Sequence, residues 1–114
     1  MNYDLEERTA KFGETMIDFI KTLKRDDINK PLATQIIRSS TSIGANYMEA
    51  NQASSKKDFK NKISICGKES NETKHWLRMI ARNNEEKTNY CKKLWKEAHE
   101  LTLIFSKISK SCSD

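Results

Sequence analysis

Proline occurs once and glycine three times in 114 residues, so the chain has few places for a tight turn or a left-handed backbone. Without those, and without β-branched alternation, a sandwich or barrel is disfavoured and an all-helical fold is expected. Cysteine is equally sparse. Cys66, Cys91 and Cys112 are an odd number with no CxxC spacing, which argues against a disulfide framework and a zinc site and suits reduced thiols in a cytoplasmic protein. The two histidines, His75 and His99, have no Cys, His or carboxylate three or four residues further on. His99-Glu100-Leu101 is not a zinc motif either, because HExxH needs a second histidine where Leu103 stands. No metal and no cofactor are expected.

Other absences bear on catalysis and on membranes. There is no glycine-rich loop to cradle phosphates and no nucleophile elbow in the serine-rich stretch. The paired acids Glu6-Glu7 and Glu85-Glu86 are immediate neighbours, which diverge by about 100° on a helix instead of meeting at a substrate. An enzyme is therefore the least favoured class. The longest apolar runs, such as Leu103-Ile104-Phe105, end within a few residues, so no membrane span is expected. Asp4, Glu6 and Glu7 near the start interrupt any apolar segment, so no secretory signal is expected.

What the chain does have is charge. Lys, Arg, Asp and Glu make up 32% of it, with a formal net charge of +5 and a pI near 9.1, which permits a polyanionic partner without requiring one. Against that background Arg38–Ala50, RSSTSIGANYMEA, stands out, because nothing between Arg38 and Glu49 is charged. On a 3.6-residue helix Leu32, Ile36, Ser40, Ile43, Tyr47 and Ala50 form one stripe, and Ile37, Thr41, Gly44 and Met48 a second. A third line, Arg38, Ser42, Ala45 and Glu49, is small in the middle and would let another backbone approach. The spacing fits both an ordinary core helix with a small-residue face and an oligomer interface. Hydroxyls at Ser39, Ser40, Thr41 and Ser42 can bond carbonyls one turn earlier if buried.

The length suits one domain with a single core. Helices are expected at about 4–25, 30–52, 55–82 and 84–110. Asp4 with Glu7 resembles a capping box for the first, whose stripe is Leu5, Phe12, Met16, Phe19 and Leu23. Pro31 suits the opening of the second, where a missing amide costs nothing. Ser55 with Asp58 caps the third, which carries Phe59, Ile63, Cys66, Ser70, Thr73, Leu77 and Ile80. The fourth has the cleanest seam: Cys91, Leu94, Ala98, Leu101, Phe105, Ile108 and Cys112. Short connections make neighbours antiparallel, giving an up-down-up-down four-helix bundle in which the two tryptophans are expected in the core.

RSSTSIGANYMEA, followed by Ala53, Ser54, Lys57-Asp58-Phe59, Ile63, Lys68-Glu69, Glu72-Thr73 and Trp76-Leu77, resembles the signature of the four-helix-bundle proteins encoded in intervening sequences of 23S ribosomal RNA genes. His75 beside Trp76 is similar to that family's aromatic pair. The resemblance implies a small up-down bundle assembling as a homo-oligomeric ring of five. It also implies a relation to the accessory variability protein of diversity-generating retroelements, a partner of reverse transcriptase and nucleic acid.

The basic residues show some order. Lys74, Arg78 and Arg82 recur every four residues on the third helix, and Lys92, Lys93 and Lys96 open the fourth. A hairpin turning at Asn83-Asn84 brings both groups to one end, where they form a candidate RNA- or DNA-binding surface or else a solvated face. A second cluster, Lys56, Lys57, Lys60 and Lys62, lies at the other end. The expected function is nucleic-acid binding by a non-enzymatic oligomer, through Lys74, Arg78, Arg82, Lys92, Lys93 and Lys96. Its subunits would meet along Arg38, Ser42, Ala45 and Glu49. The alternative is a protein-protein adaptor or scaffold ring.

Overall fold

The three- and four-residue recurrence of apolar side chains yields four helices in a computed structural model, which describes residues 4–112. They are α1, Leu5–Ile20; α2, Asn29–Asn51; α3, Lys56–Asn83; and α4, Thr88–Ser111, entered through a 3-10 turn at Glu85–Lys87. Side-chain pairs give their directions. Thr9 and Gly13 of α1 lie against Gly44 and Thr41 of α2. Ser39 and Glu49 of α2 meet Thr73 and Lys62 of α3, and Ser64 and Lys74 of α3 meet Ser109 and His99 of α4. Arg8 and Phe19 of α1 meet Glu97 and Tyr90 of α4. In each seam one number rises as the other falls, so every neighbouring pair is antiparallel and the bundle is up-down-up-down. Its long dimension of 46 Å matches α3, whose 28 residues span about 42 Å at 1.5 Å each.

The stripes read from the sequence form the core. Phe12, Met16 and Phe19 meet Ile36, Ile43, Ile63, Leu77, Leu101 and Phe105 in one cluster, and each such side chain contributes about 1.5–3 kcal/mol when fully buried. Gly44 marks the close approach of α1 and α2. A Cβ there would stand 3.2 Å from the Thr9 hydroxyl, which donates to the Leu5 carbonyl at 2.6 Å.

Two boundaries and one cap depart from expectation. The start of α4 lies at Thr88 and not near residue 84, because residues 85–87 form the 3-10 turn. α1 ends at Ile20, not near residue 25, because Thr22 and Leu23 turn their amides back to Phe19 and Ile20 and the Thr22 hydroxyl donates to the Phe19 carbonyl. Asp4 adopts a left-handed backbone, φ 47°, and makes no side-chain capping bond, so the capping box expected there does not form. The cap that the sequence reading missed is Asp26. Its Oδ1 accepts from the amides of Ile28 and Asn29, which starts α2 and holds the Asp26 carboxyl below its ordinary pKa, the Asn29 amide being the main cause. The Ser55 cap forms as expected, with its Oγ accepting from the Asp58 amide at 3.0 Å. At the same end as Asp26, buried Asn29 exchanges side-chain amide bonds with Asn84 and accepts from Asn83, so the first and third connections are clasped together.

Candidate nucleic-acid interface

Residues 100° apart on a helix sort into seams, and the α3–α4 seam collects cations without acids. An open cavity of about 640 Å³ is lined by Lys60, Lys68 and Lys110 with Ser64, Asn71, Thr102, Ser106 and Ser109 above Ile63, Gly67 and Phe105. Toward the α3–α4 turn a second, of about 280 Å³, is lined by Arg78, Lys92, Trp95 and Thr88 over Leu77, Ala81 and Cys91. No Asp or Glu lines either among the described residues.

Between the cavities sits a three-residue cluster. Trp95 stacks on His99 at 5.0 Å and 17°, and the Lys74 ammonium lies 5.0 Å from the indole centroid. The same ammonium is 3.0 Å from His99 Nδ1, within hydrogen-bonding distance.

Four of the acids that the sequence interleaves with these cations, Glu69, Glu72, Glu97 and Glu100, point elsewhere, while Glu85 and Glu86 stand exposed in the α3–α4 turn. Glu69 and Glu72 face α2 and pair with Arg38. The Trp76 indole N–H, with Arg38 behind it, holds the Glu72 carboxyl below the usual range. Glu97 and Glu100 face α1 and bind Arg8, whose guanidinium is stabilised in its charged form chiefly by the hydrogen bond to Glu97. Glu49 takes Lys62 out of the second basic cluster, while Lys60 joins the seam.

The six cations of the candidate surface are therefore divided. Lys74, Arg78 and Lys92 share the seam, with Lys74 engaged by His99 and Trp95. Arg82 is exposed at the edge near the turn, and Lys96 points outward. Lys93 lies on the side of α4 from which Glu97 and Glu100 reach Arg8, away from Lys74, Arg78 and Lys92 in the seam. Trp95, expected in the core, is 41% exposed. Its place was legible, since it follows Leu94 and so stands about 100° off the Leu94–Ala98–Leu101 line. Trp76 is half-buried, its N–H satisfied by Glu72.

The line Arg38, Ser42, Ala45, Glu49 is committed at its ends to α3 through Glu69, Glu72 and Lys62, and the Ser42 hydroxyl donates to the Arg38 carbonyl. Ala45 instead borders a groove of about 360 Å³ between α1 and α2, floored by Gly13, Gly44 and Ala10 and rimmed by Glu6, Glu7 and Glu14. Ile17 and Met48 stand exposed in it, at 38% and 59%.

Among the described residues no three of His, Cys, Asp and Glu gather as metal ligands, and no helix is long and apolar enough to cross a membrane. The fold and this seam define a small four-helix bundle with a cationic, aromatic groove. The chain belongs to the 23S rRNA-intervening sequence protein family, matching it over residues 2–107. It is similar to the crystal structure of a protein of unknown function from the S23 ribosomal protein family of Bacteroides thetaiotaomicron, with 32% identity and a TM-score of 0.84. That likeness covers 92% of this chain and 94% of the other. No curated protein matches it.

Proposed function

We propose that the protein is a non-enzymatic nucleic-acid-binding factor that uses the α3–α4 seam. The observation that supports this most is a pair of cavities along the seam, lined by Lys60, Lys68, Lys110, Arg78 and Lys92 and by no carboxylate among the described residues, with Lys74 held on His99 beside them. Cations on rigid helices neutralise phosphates and release their counterions, so affinity for RNA or DNA falls steeply with salt. Four phosphates of a single strand, met by Arg78, Lys92, Arg82 at the edge beside them and one lysine of the larger cavity, give a slope of log K against log salt of about −3, and the triple variant R78Q/R82Q/K92Q reduces its magnitude by about 2. Titration at several salt concentrations checks both. Absence of binding at low salt, or an unchanged slope in the variant, would leave the adaptor reading as the better one.

The same reading makes the protein a cytoplasmic homo-oligomer, a ring of five, serving as an accessory factor. Support comes from the α1–α2 groove, where exposed Ile17 and Met48 flank close-approach glycines and Ala45. Ala45→Asp should then lower the oligomer's sedimentation coefficient while leaving helix content intact. A monomeric parent at micromolar concentration ends this part of the proposal. If R78Q/R82Q/K92Q disperses the oligomer and leaves oligonucleotide affinity unchanged, the cationic seam is a contact between subunits.

A further inference from the structure

The α3–α4 seam combines two features that serve different parts of a polynucleotide. Cations serve phosphates in any form, single or double stranded. An exposed indole serves only a base whose face is free, and in a duplex those faces are already stacked on one another. One side of Trp95 is taken by His99 and by the Lys74 ammonium bonded to it. Trp95 also lines the cavity of about 280 Å³, together with Cys91 before it on α4, Leu77 and Ala81 across on α3, and the cations Arg78 and Lys92. The cavity thus combines an aromatic ring, apolar side chains and two cations.

We infer that this cavity holds one unpaired nucleobase stacked on Trp95, with Arg78 and Lys92 on its flanking phosphates, so the ligand of the seam is single-stranded. The inference rests on the nucleic-acid reading above and narrows it. Lys74 has a supporting part: with His99 it braces the back of the indole, which holds the ring upright at the cavity mouth. The groove beyond His99, with Lys68 and Lys110 beside Asn71, Thr102 and Ser106, gives the strand a path along the bundle toward the other end.

Three probes separate stacking from charge: a twelve-residue oligothymidylate, its duplex with oligoadenylate, and an abasic deoxyribose-phosphate strand of the same length. The single strand should bind at least about 10-fold tighter than either of the others and quench tryptophan fluorescence. Trp95→Ala should weaken the thymidylate strand roughly 5- to 150-fold, leave the abasic strand unaffected and leave the salt slope unchanged, because stacking releases no counterions. Trp95→Phe should restore most of the affinity. Should Trp95→Ala fold poorly by circular dichroism, Ala81→Leu fills the cavity without touching a charge, and should cost thymidylate binding alone. Equal binding of duplex and single strand, or a Trp95→Ala or Ala81→Leu variant that binds as the parent does, overturns the inference while salt-sensitive binding keeps the broader reading. No binding of any probe at low salt removes both.

Discussion

The α3–α4 and α1–α2 faces of this bundle are built from similar helices and carry opposite chemistry. On the first, lysine and arginine line a groove with hydroxyls, an amide and an exposed indole. On the second, Glu6, Glu7 and Glu14 rim a floor of glycine and alanine. With 21 basic and 16 acidic residues, the net charge of +5 understates how strongly the surface is polarised. The sorting is achieved by ion pairs as much as by sequence position. Arg8 and Arg38 hold four carboxylates, Glu97, Glu100, Glu69 and Glu72, on the α1 and α2 sides of the helices that form the cationic groove.

Reversing charge on one face at a time breaks this contrast most strongly. Arg78→Glu with Lys92→Glu puts two carboxylates where phosphates would lie, and should lower oligonucleotide affinity at low salt on the order of 100-fold. Glu7→Lys with Glu14→Lys makes the same change in magnitude on the α1–α2 face, and should leave affinity equal or slightly raised. Fluorescence titration of both double variants measures the difference. If both lose affinity alike, the two faces do not differ in function.

Much of this architecture was legible in the chain. Leu94, Ala98, Leu101 and Phe105 kept a strict three-four rhythm and are the buried line of α4. Ser55 and Asp58 announced the start of α3. What went unread has a common physical cause, which is that neighbours in sequence diverge on a helix. Lys92, Lys93 and Lys96 look like one cluster, yet Lys92 joins the seam while Lys93 turns toward the α1 side. Trp95, expected in the core, stands one step from Leu94, and that step carries it out to the surface. The end of α1 and the Asp26 cap depend on which of several adjacent polar groups captures a free backbone group, and composition does not decide that competition.

The thiols probe how well the cationic groove is sealed beneath. Burial raises the pKa of Cys66 to about 12 and that of Cys91 to about 11, and Cys66 also donates to the Ile43 carbonyl at 3.5 Å. A thiol whose folded pKa is raised stabilises the fold fully below its unfolded value, about 8.5. That contribution is lost as pH climbs through about 11 and 12. Iodoacetamide at pH 8 should therefore label half-buried Cys112 first and leave Cys66 and Cys91 unmodified until the protein unfolds, as mass spectrometry of the peptides can report. Denatured, unreduced protein should titrate three thiols. Labelling of Cys91 as fast as Cys112 would mean that the cavity floor beside Trp95 opens to solvent.

The smallest effect concerns α2, the helix that joins both halves of the bundle, and it turns on two adjacent hydroxyls. Ser39 faces α3, where its Oγ lies 2.8 Å from Thr73 Oγ1, whereas Ser40 sits toward α1, fully buried, with no hydrogen-bond partner for its Oγ. Back-bonding satisfies Thr41 and Ser42 through the carbonyls of Ile37 and Arg38, but it does not reach Ser40. Ser39→Ala removes a made bond and should cost about 0.5–1.5 kcal/mol. Ser40→Ala removes an unpaired group and should be neutral or stabilise by up to about 1 kcal/mol, since methyl suits that site better than a desolvated hydroxyl. Urea unfolding at one fixed protomer concentration, with unchanged m, resolves the two midpoints. Destabilisation by Ser40→Ala as large as that by Ser39→Ala would show that the Ser40 hydroxyl is paired in solution, and that the α1 side of α2 is as polar and well satisfied as the α3 side.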